Sequence, residues 1–260
     1  MLDNETKDRY LQEVVIPNFM VLVKQRVYSV IFDYKFEMII CTNLSAESIG
    51  RRDWQDVANI SFKDHANEER ARGFFKEHYT AEKAIFIHQY ARKIFELQNV
   101  VFEHKRVVSF VDLLPYDGHF KSYLVTYVPI FHPSGEVVAL QSFAVPSRFF
   151  SHQDFLLEML DDKKADFCST VDELTTREQE IMFLLANGIS QDQMAQILNT
   201  SRSTIANIIA KQLCNKFGIA GSNTKLLAKI ALQCDYHQKI PHTLCRPYII
   251  VLDEDLAINL

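Results

Sequence analysis

The chain has a single tryptophan, Trp54, and five cysteines, none of them in a C-x-x-C pair. Cys41, Cys168, Cys214, Cys234 and Cys245 are odd in number and far apart. That excludes zinc-ribbon spacing and points to free thiols in a reducing cytoplasm rather than a disulfide frame. Glycine and proline are scarce, at seven each in 260 residues. No glycine-rich phosphate loop, G-x-S-x-G elbow or H-E-x-x-H pair is present, so the chain reads as a non-enzyme with no resident metal. Excess positive charge is lacking too: 28 Lys and Arg against 33 Asp and Glu leave a net of -5. No global cationic field draws such a chain to nucleic acid or anionic membrane, and any contact with DNA must be local. No apolar run approaches the ~20 residues of a membrane span. The first ten residues, MLDNETKDRY, are too acidic and polar for a signal peptide. These absences together lead us to expect a cytoplasmic, soluble protein without membrane partners.

What is present is an ordinary globular composition, 48% hydrophobic and 23% charged, enough for one or two domains. An amphipathic segment, Thr6 to Ile16 with Tyr10, Leu11, Val14 and Val15, precedes Pro17. It predicts a flanking helix within residues 1–26, which either mediates dimers or covers its own sheet. From 27 to 150 the text favours strands. Two β-rich runs surround Asp33 to Phe36, and three more follow, punctuated by Pro115-Tyr116-Asp117-Gly118 and His132-Pro133-Ser134-Gly135. Amphipathic helical text separates the two groups. Residues 151–172 begin as a short helix, 153–160, and continue as a polar acidic linker. Residues 173–234 are helical at every window, a domain of about 60 residues. The tail, 235–260, offers one short strand at 248–252. The fold class expected is α+β: an antiparallel sheet with flanking helices, then an all-α four-helix domain.

In the helical domain, Thr175 and Glu178 have capping-box spacing. Ile181, Leu184 and Leu185 form the buried stripe of a first helix, and Gly188 ends it. Ser190 caps a second helix, Ser201 a third, and the break between them at Asn199 and Thr200 makes a helix-turn-helix. Stepping the third helix at 100° per residue puts Ile205, Ile208, Ile209, Gln212 and Lys216 on one side. Ser203, Ala206, Asn207, Ala210, Lys211 and Cys214 fall on the other. The second set is small and polar, as a helix lying in a DNA major groove requires. Asn207 has the chemistry to pair bidentately with adenine and Ala210 to touch a thymine methyl. Arg202, Ser203, Thr204 and Lys211 can reach phosphate or guanine.

Residues 174–234 resemble the LuxR/FixJ/GerE type of DNA-binding domain. The resemblance rests on Leu174-Thr175-Thr176-Arg177-Glu178, Gly188-Ile189-Ser190, Met194-Ala195, Ser201-Arg202-Ser203-Thr204-Ile205 and Lys216-Phe217-Gly218. It implies a transcription regulator that binds double-stranded DNA as a homodimer, with the helix from about Asn223 to Gln233 as the dimerising element. The chain departs from the pattern at Ala206 and Ile208, where the family usually has a basic residue and a histidine. The interval from Thr204 to Lys216 is also one residue longer than usual, an insertion the third helix or its exit must absorb. Six basic side chains (Arg177, Arg202, Lys211, Lys216, Lys225, Lys229) against three acidic ones (Glu178, Glu180, Asp192) give this segment +3. The alternative reading is a signalling or scaffold protein that uses the helix-turn-helix for protein contacts.

The two-strand, helices, three-strand order of the first half resembles a PAS domain, carried by the opening VIFDYKFEMIICTNLSAESIG. The resemblance implies a sensor or dimerisation module and leaves the cofactor unknown. The generous aromatic supply favours a small apolar ligand, with Phe86, Tyr90, Phe95, Phe102, Phe110, Tyr123, Tyr127 and Phe143 as candidate lining. His78, His88 and His104 read as surface or hydrogen-bonded residues rather than haem ligands. With only Trp54, the half does not resemble the lactone-binding domain of quorum regulators, which uses several tryptophans.

Overall fold

The computed structural model describes residues 2–49, 51–57, 60–63, 67–69, 72, 79–116, 119–147, 174–238, 240–244 and 246–253. The short helix and linker expected over 151–172 lie outside the described residues, as does His78.

Residues Met1–Asp112, Tyr123–Pro146 and Val251–Leu260 make one compact unit; Leu113–Ser122 and Ser147–Ile250 make a second. The first opens with a helix, α1, built as Asn4–Tyr10, a π turn Leu11–Val15, and Ile16–Phe19. Asp3 caps it through a 2.8 Å bond from the Thr6 N–H. Pro17 does not end this helix. It sits just past the π turn, where it needs no N–H of its own to keep the ladder running. Leu11, Val15, Phe19 and Val23 are buried at a four-residue spacing against Ile31, Ile40, Val138 and Ala139. Of the two roles open to this helix, its apolar stripe therefore takes the covering of its own sheet. Val14, Met20 and Val21 stay exposed.

Strands β1 (Tyr28–Asp33) and β2 (Met38–Cys41) pair antiparallel, with a register shift between Ile31 and Phe32. The turn joining them is held by Asp33, whose carboxylate accepts from the Lys35 and Glu37 N–H groups at 2.8 and 2.9 Å. Phe36 adopts a positive φ of 66° there. A short helix, α2 (Asn43–Ser48), is capped by Thr42. Helix α3 (Ala81–His104) ends at Lys105 in the left-handed conformation. Strands β3 (Val108–Tyr116), β4 (His119–Phe131) and β5 (Val137–Ser147) follow. The sheet order is β2-β1-β5-β4-β3-β6, so the expected tail strand β6 (Tyr248–Val251) forms and joins the sheet as a sixth strand. The Leu252 N–H bonds the Ser109 carbonyl at 3.2 Å. Val137 to Leu140 are buried in succession, the mark of a strand covered on both faces. Phe143 is exposed instead of lining the interior, because burial of β5 gives out toward its end.

In the second unit lie α4 (Thr176–Ala186), α5 (Gln191–Ile197), α6 and α7 (Thr224–Gln233). Helix α6 is continuous through Arg202–Ile208, a π turn Ile209–Leu213, and Cys214–Lys216. Cys41 and Cys214 are free and buried, but Cys234 is disulfide-bonded, against the expectation of free thiols throughout. Pairing depends on which Cα atoms the fold brings within about 7 Å, and sequence separation does not reveal that.

Candidate nucleic-acid interface

Each helix of the C-terminal unit starts on a side-chain cap. Thr175 and Glu178 form a complete capping box, and the Glu178 carboxylate accepts from the Thr175 N–H at 2.8 Å and its hydroxyl at 2.9 Å. Ser190 makes a second box with Gln193, the pairing that the S-x-x-Q text at 190–193 spells. Ser201 caps α6, accepting from the Thr204 N–H at 3.1 Å, with its hydroxyl within 2.8 Å of both the Ser203 and Thr204 hydroxyls. Between α5 and α6, Asn199 takes a positive φ of 48° and allows the sharp turn.

The inserted residue in α6 is absorbed by its π turn. Ile205, Ile209, Leu213 and Phe217 are all buried, a four-residue repeat that would drift across the face of a helix with 3.6 residues per turn. The wider turn brings the stripe back toward the core. The same device corrects the simple helical stepping. Cys214, stepped to the outer side, is fully buried; Gln212, stepped inward, is exposed; Ile208 is only partly covered. Arg202, Ser203, Thr204, Asn207 and Lys211 are exposed, and Ala206 and Ala210 are half-buried between them. Asn215 extends the exposed row 207-211-215; its amide bonds the Lys211 carbonyl at 2.7 Å. The four-residue period of the buried stripe was the signal that would have shown it.

Electrostatics sorts the basic side chains. Lys216 binds the buried Glu178 carboxylate at 2.8 Å, tying the end of α6 to the start of α4. Burial opposes the Glu178 charge, yet the hydrogen bonds from Lys216 and Thr175 outweigh it and hold this carboxyl below its ordinary value. Arg177 pairs with Glu180 at 3.0 Å and Arg202 with Asp192 at 3.4 Å, the latter both exposed. Among the described residues, Lys211, Lys225 and Lys229 have no ion-pair partner, and these three make up the segment's +3. Helix α7 closes the unit's core with Leu227, Ile230 and Ala231 and leaves Leu226 exposed.

In the sheet unit, Tyr90, Phe110 and Tyr127 of the aromatic set are buried, whereas Phe86, Phe95, Phe102 and Tyr123 are partly so. His88 Nε2 lies 3.1 Å from the Tyr79 hydroxyl, and His104 is exposed. Among the described residues no helix is long and apolar enough to cross a membrane.

The chain thus carries a six-stranded sheet with flanking helices and, after it, a capped helix-turn-helix. Residues 172–225 match the family GerE, bacterial regulatory proteins of the luxR family, so the C-terminal domain is a LuxR-type helix-turn-helix. Among solved structures the chain is similar to a phage VqmA in complex with DPO, at 20% identity, over 96% of this chain and 99% of that one, with a TM-score of 0.50. It is also similar to the Vibrio cholerae VqmA dimer solved without target DNA, at 20% identity over 92% and 96%, TM-score 0.48. The PAS domain of Bordetella pertussis BvgS aligns at 14% identity with 58% of this chain and 96% of its own, TM-score 0.35. No curated protein matches the chain.

Proposed function

We propose that this protein is a non-enzymatic, cytoplasmic transcription regulator. As a homodimer it places α6 of each protomer in the major groove of a two-fold symmetric DNA site, under the control of a ligand held by the PAS-like unit. The observation that carries the reading is the LuxR-family match over residues 172–225, which falls on a helix-turn-helix with a small, polar outer face. Asn207 and Ala210 read base edges, and Arg202, Ser203, Thr204 and Lys211 hold the backbone, with Ala206 leaving room for close approach. Asn215 continues the row toward the flanking phosphate. Leu226 supplies the exposed apolar contact between α7 helices. The phage VqmA whose fold the chain shares forms a complex with DPO, and we propose by analogy that the sheet unit here also takes a small molecule.

The basic side chains placed on the DNA backbone set a measurable salt dependence. Lys211 and Arg202, the two basic side chains placed on the backbone, make four per dimer and give a slope of log K against log salt of roughly -4 if each neutralises one phosphate. Fluorescence anisotropy of a labelled duplex between low and physiological salt reads this slope. Binding that is absent, or unmoved by salt, contradicts the DNA-binding role.

A further inference from the structure

Four exposed side chains of α6 stand four residues apart: Ser203, Asn207, Lys211 and Asn215. In an unbroken α-helix each such step turns about 40° further round the axis, so the row would wander off one face. The π turn Ile209–Leu213 takes up that excess for the buried stripe, and with it returns Asn215 to the outer face behind Lys211. The members of the row differ in what they have left to offer. The Ser203 hydroxyl lies 2.8 Å from that of Ser201, at the cap of the helix. Lys211 carries donors alone, and Asn207 carries both donor and acceptor. Asn215 is set apart by its own helix, because its Nδ2 donates to the Lys211 carbonyl at 2.7 Å.

That one bond fixes the sense of the amide. A carbonyl oxygen only accepts, so the branch of Asn215 that meets it is the NH2 group, and Oδ1 is turned away from that carbonyl. One N–H remains for the flanking phosphate. Oδ1 itself has no partner among the described residues and stands as a bare acceptor on an exposed side chain. In a major groove such an acceptor finds a donor on two bases, at the N4 amino group of cytosine and the N6 amino group of adenine. Guanine and thymine instead present the oxygens O6 and O4, which would leave two acceptors facing each other. We propose that Asn215 is a specificity-determining residue that reads an exocyclic amino group through Oδ1, selecting cytosine or adenine over guanine or thymine at one position of each half-site. This deepens the DNA-binding reading given above and rests on it.

Selection of bound duplexes from a random pool tests the assignment, run with the full chain and with its Asn215→Ala and Asn215→Asp variants. The wild-type motif is expected to hold cytosine or adenine at one position of each half-site, by about tenfold over guanine or thymine. Asn215→Ala flattens that position and leaves the rest of the motif standing. Asn215→Asp keeps an acceptor but gives up the amide N–H groups and adds a negative charge, so it retains the preference while binding DNA more weakly. Both variants melt beside the wild type, because the side chain is exposed. A motif in which no cytosine or adenine preference depends on Asn215 overturns the proposal. Loss of the preference in both variants refutes the acceptor role of Oδ1. A wild-type pool that never enriches removes the DNA-binding reading and this residue with it, whereas an enriched motif indifferent to Asn215→Ala removes this residue alone.

Discussion

Asp112 and Asn207 show how single side chains act in the two units. Burial pushes the Asp112 carboxyl up to about 7, only partly offset by the Tyr90 hydrogen bond. In an unfolded chain the same group titrates near 3.9. Between those values the unfolded chain loses its proton first, so stability falls as pH rises from about 4 to about 7, and the penalty is complete above that. It amounts to a few kcal/mol on the order-of-magnitude scale of such shifts. Asp112→Asn is therefore expected to melt above the wild type at pH 8 and beside it at pH 4, by calorimetry; an unchanged difference across that range contradicts the assignment. For Asn207, losing one bidentate base contact costs about 1–3 kcal/mol. Asn207→Ala combined with Lys211→Ala should weaken specific binding about a hundredfold while leaving the melting temperature within a few degrees, since both side chains are exposed.

Among the elements, α6 carries the clearest consequence of its sequence. Its buried residues repeat every four positions and its π turn accommodates them. Deleting Ala210 turns the 4-4-4 spacing into 4-3-4, which an unbroken α-helix keeps on one face. The deletion variant should remain helical and melt cooperatively within about 5 °C of the parent, by circular dichroism; loss of the folded domain would contradict this origin of the turn. Helix α7 makes a different point. Leu227, Ile230 and Ala231 are buried and Leu226 is not, so Leu226→Glu should cost little stability but lower affinity for a two-half-site duplex at least about tenfold. Anisotropy against one-half-site and two-half-site duplexes measures it. The helix starts were legible because a cap is local chemistry: Thr175 with Glu178, Ser190 and Ser201 all stand where their text put them. Cys214, Pro17 and Cys234 were not legible. The first two depend on a π turn that a fixed 100° step cannot represent, and the third on contacts between distant parts of the chain.

At the scale of the whole chain, the acidic total conceals a domain whose ion pairs leave three lysines over, and the tail after that domain returns as β6 to the sheet edge beside β3. A protected edge resists pairing with other chains. Truncation after residue 245 is accordingly expected to raise the aggregated fraction in light scattering. The central claim is that α6 reads DNA, and selection of bound duplexes from a random pool by the purified full chain tests it most directly. The expected result is a two-fold symmetric motif with half-sites about one helical turn apart, lost when Asn207 and Lys211 are both replaced by alanine. A pool that never enriches, or the same motif returned by the double variant, would contradict it.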